Sequence, residues 1–167
     1  MKITIISYLY NVDNIIENYI NCLNNLRDIE KHEIIICNIY DSNSVNTNNL
    51  LNNFKKSKKN IKIIKEYIND KTIIINNVLK TINTEYFYIY DFEYNLDKNF
   101  IYDYSNFLKN NEDTDLLFSP IKIENKFRKL YNLNILSKKK IFLKKNDNKI
   151  NDNYEYKNNL LIECLKN

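Results

Sequence analysis

The chain has 167 residues, 44% hydrophobic and 28% charged, with a formal net charge of +4. That balance excludes a disordered chain, and the length fits one domain with a core of its own. No apolar run approaches the roughly 18 residues of a membrane span, and three cysteines without paired spacing exclude a disulfide framework or a zinc knuckle.

The chain lacks Gly, Ala and Trp, holds one Pro, and is rich in Asn, Lys, Ile and Tyr. Residues with GC-rich codons are the missing ones, which points to an AT-rich genome. The lysine clusters at 55–59, 138–140 and 144–145 read as solvated loops, since only two arginines accompany them. A nucleic-acid partner would call for arginine and one concentrated basic face, so none is expected.

In chain order, residues 2–9 read as an apolar strand, with no small-residue cleavage site after it to suggest a signal peptide. A cytoplasmic, reducing setting is therefore expected. Residues 14–26 place Ile15, Ile16, Tyr19, Ile20, Leu23 and Leu26 on one helical stripe. A strand follows at 32–40, a short helix at 46–56, a strand at 60–66, a helix at 70–83 and a strand at 85–90. A helix at about 97–110 and a strand at 113–123 come next. Beyond Pro120 the pattern weakens; residues 129–136 and 140–143 suggest short strands, and 154–165 a last helix. Cys22 and Cys37 fall in apolar patterns and are expected in the core, whereas His32 is expected to be exposed.

Apolar strands alternating with amphipathic helices give an α/β fold, a mostly parallel sheet covered on both faces. Ligands of such sheets bind beyond the carboxyl ends of the strands. Three of those ends are polar here: Tyr10 and Asn11 after the first strand, Asp41, Ser42, Asn43 and Ser44 after the second, and Asp91 and Glu93 after the fourth. No glycine-rich phosphate loop is present, so a divalent cation on paired carboxylates is the natural substitute for holding phosphates.

These segments, taken in order, resemble glycosyltransferase family 2, the inverting nucleotide-sugar transferases of GT-A fold. "ITIISYLYN" keeps Tyr10 and Asn11 of the family's first strand end. "EIIICNIYDSNSVN" keeps Asp41, Ser42 and Ser44, with Asn43 in place of glycine and Asn46 in place of aspartate. Asn tolerates the left-handed region better than other non-glycine residues, so Asn43 is expected to hold that turn. "NNVLKTINTEYFYIYDFE" aligns Asn76, Glu85 and Tyr86, and sets Asp91 and Glu93 on the family's DXD-like metal pair.

The resemblance implies a single GT-A-like domain. Residues 1–118 would form its nucleotide-sugar-binding core and 119–167 a short acceptor-side region. It also implies a nucleotide-sugar donor, UDP-linked by preference, and a hydroxyl acceptor on a glycan or protein. Tyr10 would stack on the base beside Asn11, and Asp41, with Ser42 next to it, would accept a base N–H. Lys71 would face the nucleotide, or else stand in solvent. Asp91 and Glu93 would hold Mn²⁺ or Mg²⁺. The general base would be Glu155, or Asp152, where the family's paired acids are missing. Read without the resemblance, Tyr10 is a packing residue, Asp41 a cap for the next helix, and Asp91 with Glu93 a polar strand exit. Two functions stay open: an active transferase, and a GT-A-like module that binds a nucleotide sugar or a partner without catalysis.

Overall fold

A computed structural model describes residues 1–90, 92, 95–111 and the backbone of two strands at 116–121 and 132–138. Its six-stranded sheet is built from β1 (Ile3–Leu9), β2 (Glu33–Ile39), β3 (Ile61–Glu66), β4 (Tyr86–Tyr90), β5 (Leu116–Ile121) and β6 (Asn132–Lys138). The strand order is β3-β2-β1-β4-β6-β5. The first four are parallel, and β6 and β5 add an antiparallel extension beyond β4.

The four helices are α1 (Ile16–Asn25), α2 (Val45–Ser57), α3 (Lys71–Thr81) and α4 (Phe100–Asn110). Alternation along the strands decides which helix covers which face. In β1, Ile3, Ile5 and Leu9 join a cluster with Ile16, Tyr19 and Leu23 of α1, Leu51 and Phe54 of α2, and Ile101 and Leu108 of α4. Ile6 points the other way and packs with Ile74, Val78 and Leu79 of α3. Helices therefore cover both faces, as the unbroken apolar strands required. Each fully buried Ile or Leu contributes about 1.5–3 kcal/mol relative to exposure.

The boundaries expected from sequence hold to within a few residues. The free thiols also follow expectation: Cys37 is buried, and Cys22 packs against the larger cluster. His32 does not. It is 2% exposed and sits at the amino edge of the sheet, where its Nδ1 accepts the Ile3 N–H at 3.2 Å. One polar residue ahead of a strand suggested a surface position, but the edge amide of β1 needs an acceptor and draws the ring inward. The strand suggested at 140–143 and the helix at 154–165 lie outside the described residues. Among the described residues no helix is long and apolar enough to cross a membrane.

Candidate functional site

The parallel strands β1 to β4 send the loops that follow them to one edge of the sheet. After β1, Tyr10 is 41% exposed, and Asn11 takes a positive φ of 52°, a conformation Asn accepts at small cost. After β2 the chain makes a 3₁₀ turn over Tyr40–Ser42. This turn leaves Asp41 exposed, with no hydrogen-bond partner among the described residues.

The two loops are joined residue by residue. The Asn11 N–H donates to Ser42 Oγ at 3.3 Å, and the Val12 N–H to Asn43 Oδ1 at 2.9 Å. The Ser44 N–H donates to Asp13 Oδ1 at 2.9 Å. Within the sheet, β1 and β2 pair at an offset of 29, from Thr4 with Glu33 to Leu9 with Asn38. In the loops the offset is 31. The 3₁₀ turn absorbs the two extra residues and pushes Asp41 outward.

Three buried asparagines hold this arrangement from below. Asn43 donates to Asn38 Oδ1 at 2.9 Å and to the Ile39 carbonyl at 3.1 Å, and Asn38 donates to Asn48 Oδ1 at 2.7 Å. Asn48 donates in turn to the carbonyls of Tyr40 and Asn43. Asn43 was expected to supply a left-handed turn. It is extended, with φ −114° and ψ 147°, and works through its side chain instead. The left-handed residue belongs to the neighbouring loop, at Asn11.

The cap of α2 is Ser44, whose Oγ accepts the Thr47 N–H at 3.2 Å. Asp41 therefore does not serve as that cap. Asp13 reaches the same turn from the other loop, taking the Thr47 hydroxyl at 2.5 Å besides the Ser44 amide. Those two donors, the Thr47 hydroxyl first, hold its carboxyl below the usual aspartate range.

A third loop, between β3 and α3, closes on the same edge. The Tyr8 phenol donates to Asn69 Oδ1. The Tyr67 ring meets Tyr40 at 6.2 Å between centroids, and the Lys65 ammonium lies 4.3 Å above Tyr40. Burial, ahead of the neighbouring Tyr10 and Asp70, raises the Tyr8 pKa above its ordinary value. Asp70 caps α3 through the Ile73 N–H at 2.9 Å. Lys71 opens that helix, exposed and without an ion pair to another described residue.

The structure thus brings Asn11 and Ser42 together and puts Tyr10 and Asp41 on the two loops so joined. β4 ends on the same edge, Tyr90 pairing with Ser7. The metal pair Asp91 and Glu93 and the candidate bases Glu155 and Asp152 lie outside the described residues. Among the described residues no cluster of three His, Cys, Asp or Glu side chains is placed to hold a metal.

Asp13, the asparagine triad and the Tyr8–Asn69 and Tyr40–Tyr67 contacts were missed from sequence. The available signal was polar residues spaced equally on two loops that follow neighbouring parallel strands.

No protein-family model and no curated protein sequence matches the chain. Solved structures do. S. aureus TarS 1–349 in complex with UDP-GlcNAc superposes with a TM-score of 0.69 at 18% identity, over 88% of this chain and 48% of that one. The mannosyltransferase PcManGT from Pyrobaculum calidifontis, in complex with GDP-Man and Mn²⁺, gives 0.65 at 14%, over 86% and 46%. The bifunctional IspDF from Campylobacter jejuni gives 0.53 at 15%, over 91% and 45%. The fold is α/β and GT-A-like, the fold of nucleotide-diphospho-sugar transferases. The chain spans about half the length of these solved structures.

Proposed function

We propose that the chain binds a nucleotide-diphosphate sugar, UDP-linked by preference, at the carboxyl edge of its sheet. It would transfer the sugar to a hydroxyl on a glycan or protein. The observation that carries this reading is the direct pairing of the Tyr10–Asn11 loop with the Asp41–Ser42 loop. That pairing leaves an exposed aromatic ring and an exposed carboxylate on adjoining loops, the two groups a uracil ring needs for stacking and for an N–H acceptor. Lys71, exposed at the start of α3, is the cation proposed to face the donor's phosphates.

Asp91 and Glu93 are the residues proposed to hold Mn²⁺ or Mg²⁺. The ion would neutralise charge on the departing diphosphate. In an inverting displacement the acceptor oxygen bonds to the anomeric carbon as its bond to the β-phosphate oxygen breaks. The nucleoside diphosphate leaves with that electron pair, and the acceptor proton passes to a carboxylate, Glu155 or Asp152. The free thiols Cys22 and Cys37 fit a cytoplasmic setting.

A second reading, nucleotide-sugar binding without turnover, rests on the sequence ahead of residues 154–165, where the paired acids of the resembled family are missing. Calorimetric titration with UDP and Mn²⁺, followed by assay of UDP-sugar turnover, separates the two. Binding with turnover that Glu155→Gln or Asp152→Asn lowers about 10²–10⁴-fold supports the transferase. Binding without turnover leaves the module. No binding removes both.

A further inference from the structure

We infer that Asp13 is the positioning residue that holds the two nucleotide-facing loops in their receiving arrangement, as the terminal latch of a side-chain zipper. The inference rests on the nucleotide-binding reading above.

The covalent chain offers no reason for the two loops to stay side by side. The backbone ladder between β1 and β2 ends at Leu9 and Asn38, and the next residues of β2 turn away into the 3₁₀ turn. Beyond that point, among the described residues, three side chains take over by accepting backbone N–H groups. Ser42 takes the amide of Asn11, Asn43 that of Val12, and Asp13 that of Ser44. The first two reach from the second loop to the first. Asp13 reaches in the opposite direction, so the loops are held from both sides.

Asp13 is also the ionised member of the zipper. Its carboxylate sits on the first turn of α2, where the amide ends of the helix carry partial positive charge. Hydrogen bonds to an ionised acceptor are roughly twice as strong as those between neutral groups. Asp13 takes two, from the Ser44 N–H and the Thr47 hydroxyl, and Thr47 is itself buried. The residues between the latch and the strand ends, Tyr10, Asn11, Asp41 and Ser42, are those assigned to the base. With the latch closed the loops are ordered before the ligand arrives, and binding need not order them.

Two measurements test the latch. The first is amide hydrogen exchange in the ligand-free protein, comparing wild type with Asp13→Ala and Asp13→Asn. The second is UDP titration of the same three proteins with Mn²⁺ present. The latch predicts exchange at Ser44 at least about tenfold faster in Asp13→Ala, and UDP affinity about tenfold lower. Asp13→Asn, which keeps the accepting oxygen but not its charge, falls between wild type and Asp13→Ala in both. Thr47→Val combined with Asp13→Ala loses less UDP affinity than the two single losses added. Asp28→Ala, which removes the Lys31 partner elsewhere, leaves UDP affinity unchanged.

Unchanged Ser44 exchange in Asp13→Ala overturns the latch whatever happens to UDP. Faster exchange with wild-type UDP affinity overturns its role in positioning. Faster exchange in a protein whose wild type binds no UDP overturns the nucleotide reading, and the positioning role with it, while the exchange data still report the contact.

Discussion

Asn43 and Val12 are 31 residues apart in sequence and joined at 2.9 Å, the Val12 amide donating to the Asn43 side-chain oxygen. Both residues are buried, at 8% and 1% exposure. The Asn43 amide group also donates to Asn38 and to the Ile39 carbonyl, so one side chain supports two loops and a strand end.

Replacing Asn43 with Ala strands a buried amide on Val12 and removes a donor from Asn38. Each orphaned group costs about 1–3 kcal/mol. Urea denaturation of Asn43→Ala should show a lower midpoint with an unchanged slope. Asn43→Gly, intended to restore the glycine of the resembled motif, should lose as much stability, because the position is extended and uses its side chain.

Tyr10 behaves in the opposite way. Tyr10 is exposed and lies outside the core clusters, so Tyr10→Ala should change stability by no more than about 0.5 kcal/mol. Loss of the aromatic face should weaken UDP binding by about 0.5–1.5 kcal/mol, read by calorimetry. A large drop in melting temperature instead would show that Tyr10 serves packing.

Metal removal gives a third test. Treatment with a chelator should weaken UDP binding, and Mn²⁺ should restore it. Asp91→Asn and Glu93→Gln should each abolish that restoration while leaving the melting temperature of the ligand-free protein in place. Metal-independent UDP binding in all three proteins would remove the two carboxylates from the site.

His32 predicts an acid limb in stability. Burial, then the nearby N-terminal ammonium, pushes its pKa down from 6.5 to about 4. In the unfolded chain the ring takes up a proton near pH 6.5, and in the folded chain only near pH 4. The unfolded state therefore binds more protons across that window, and the stabilising contribution of neutral His32 is lost as pH falls from about 6.5 to 4. Comparing denaturation midpoints of wild type and His32→Asn at pH 7 and pH 4.5 isolates it, because carboxylates contribute to both proteins alike. Equal pH sensitivity in the two would clear His32 of the effect.

The sheet was legible because β1, β2 and β4 are largely apolar runs rich in Ile and Tyr, and only burial on both faces accommodates such runs. The helices were legible from the spacing of residues such as Ile16, Tyr19 and Leu23. Tyr10, Asn11, Asp41 and Ser42 could be chosen because polar residues after parallel strands gather at one edge. What holds them could not be read. Asn43 looked like a glycine substitute since its backbone role is the one a motif displays, whereas its hydrogen bonds to residues 5 and 31 positions away depend on tertiary placement. His32 was misjudged for the same reason: its acceptor role answers an amide 29 residues earlier. Asp13 stood out in no motif, and only the two-residue slip between sheet and loop offsets brings it onto α2.

The position of β6 carries one more consequence. It lies between β4 and β5, pairing antiparallel with Tyr86–Tyr88 on one side and with all of β5 on the other. A nascent chain that has left the ribosome only as far as β5 already holds the parallel strands, yet the outer hydrogen-bonding groups of β4 still face water. Such an intermediate offers a bare, tyrosine-rich border that could pair with the same border on another nascent chain. Synthesis of residues 132–138 is what closes it.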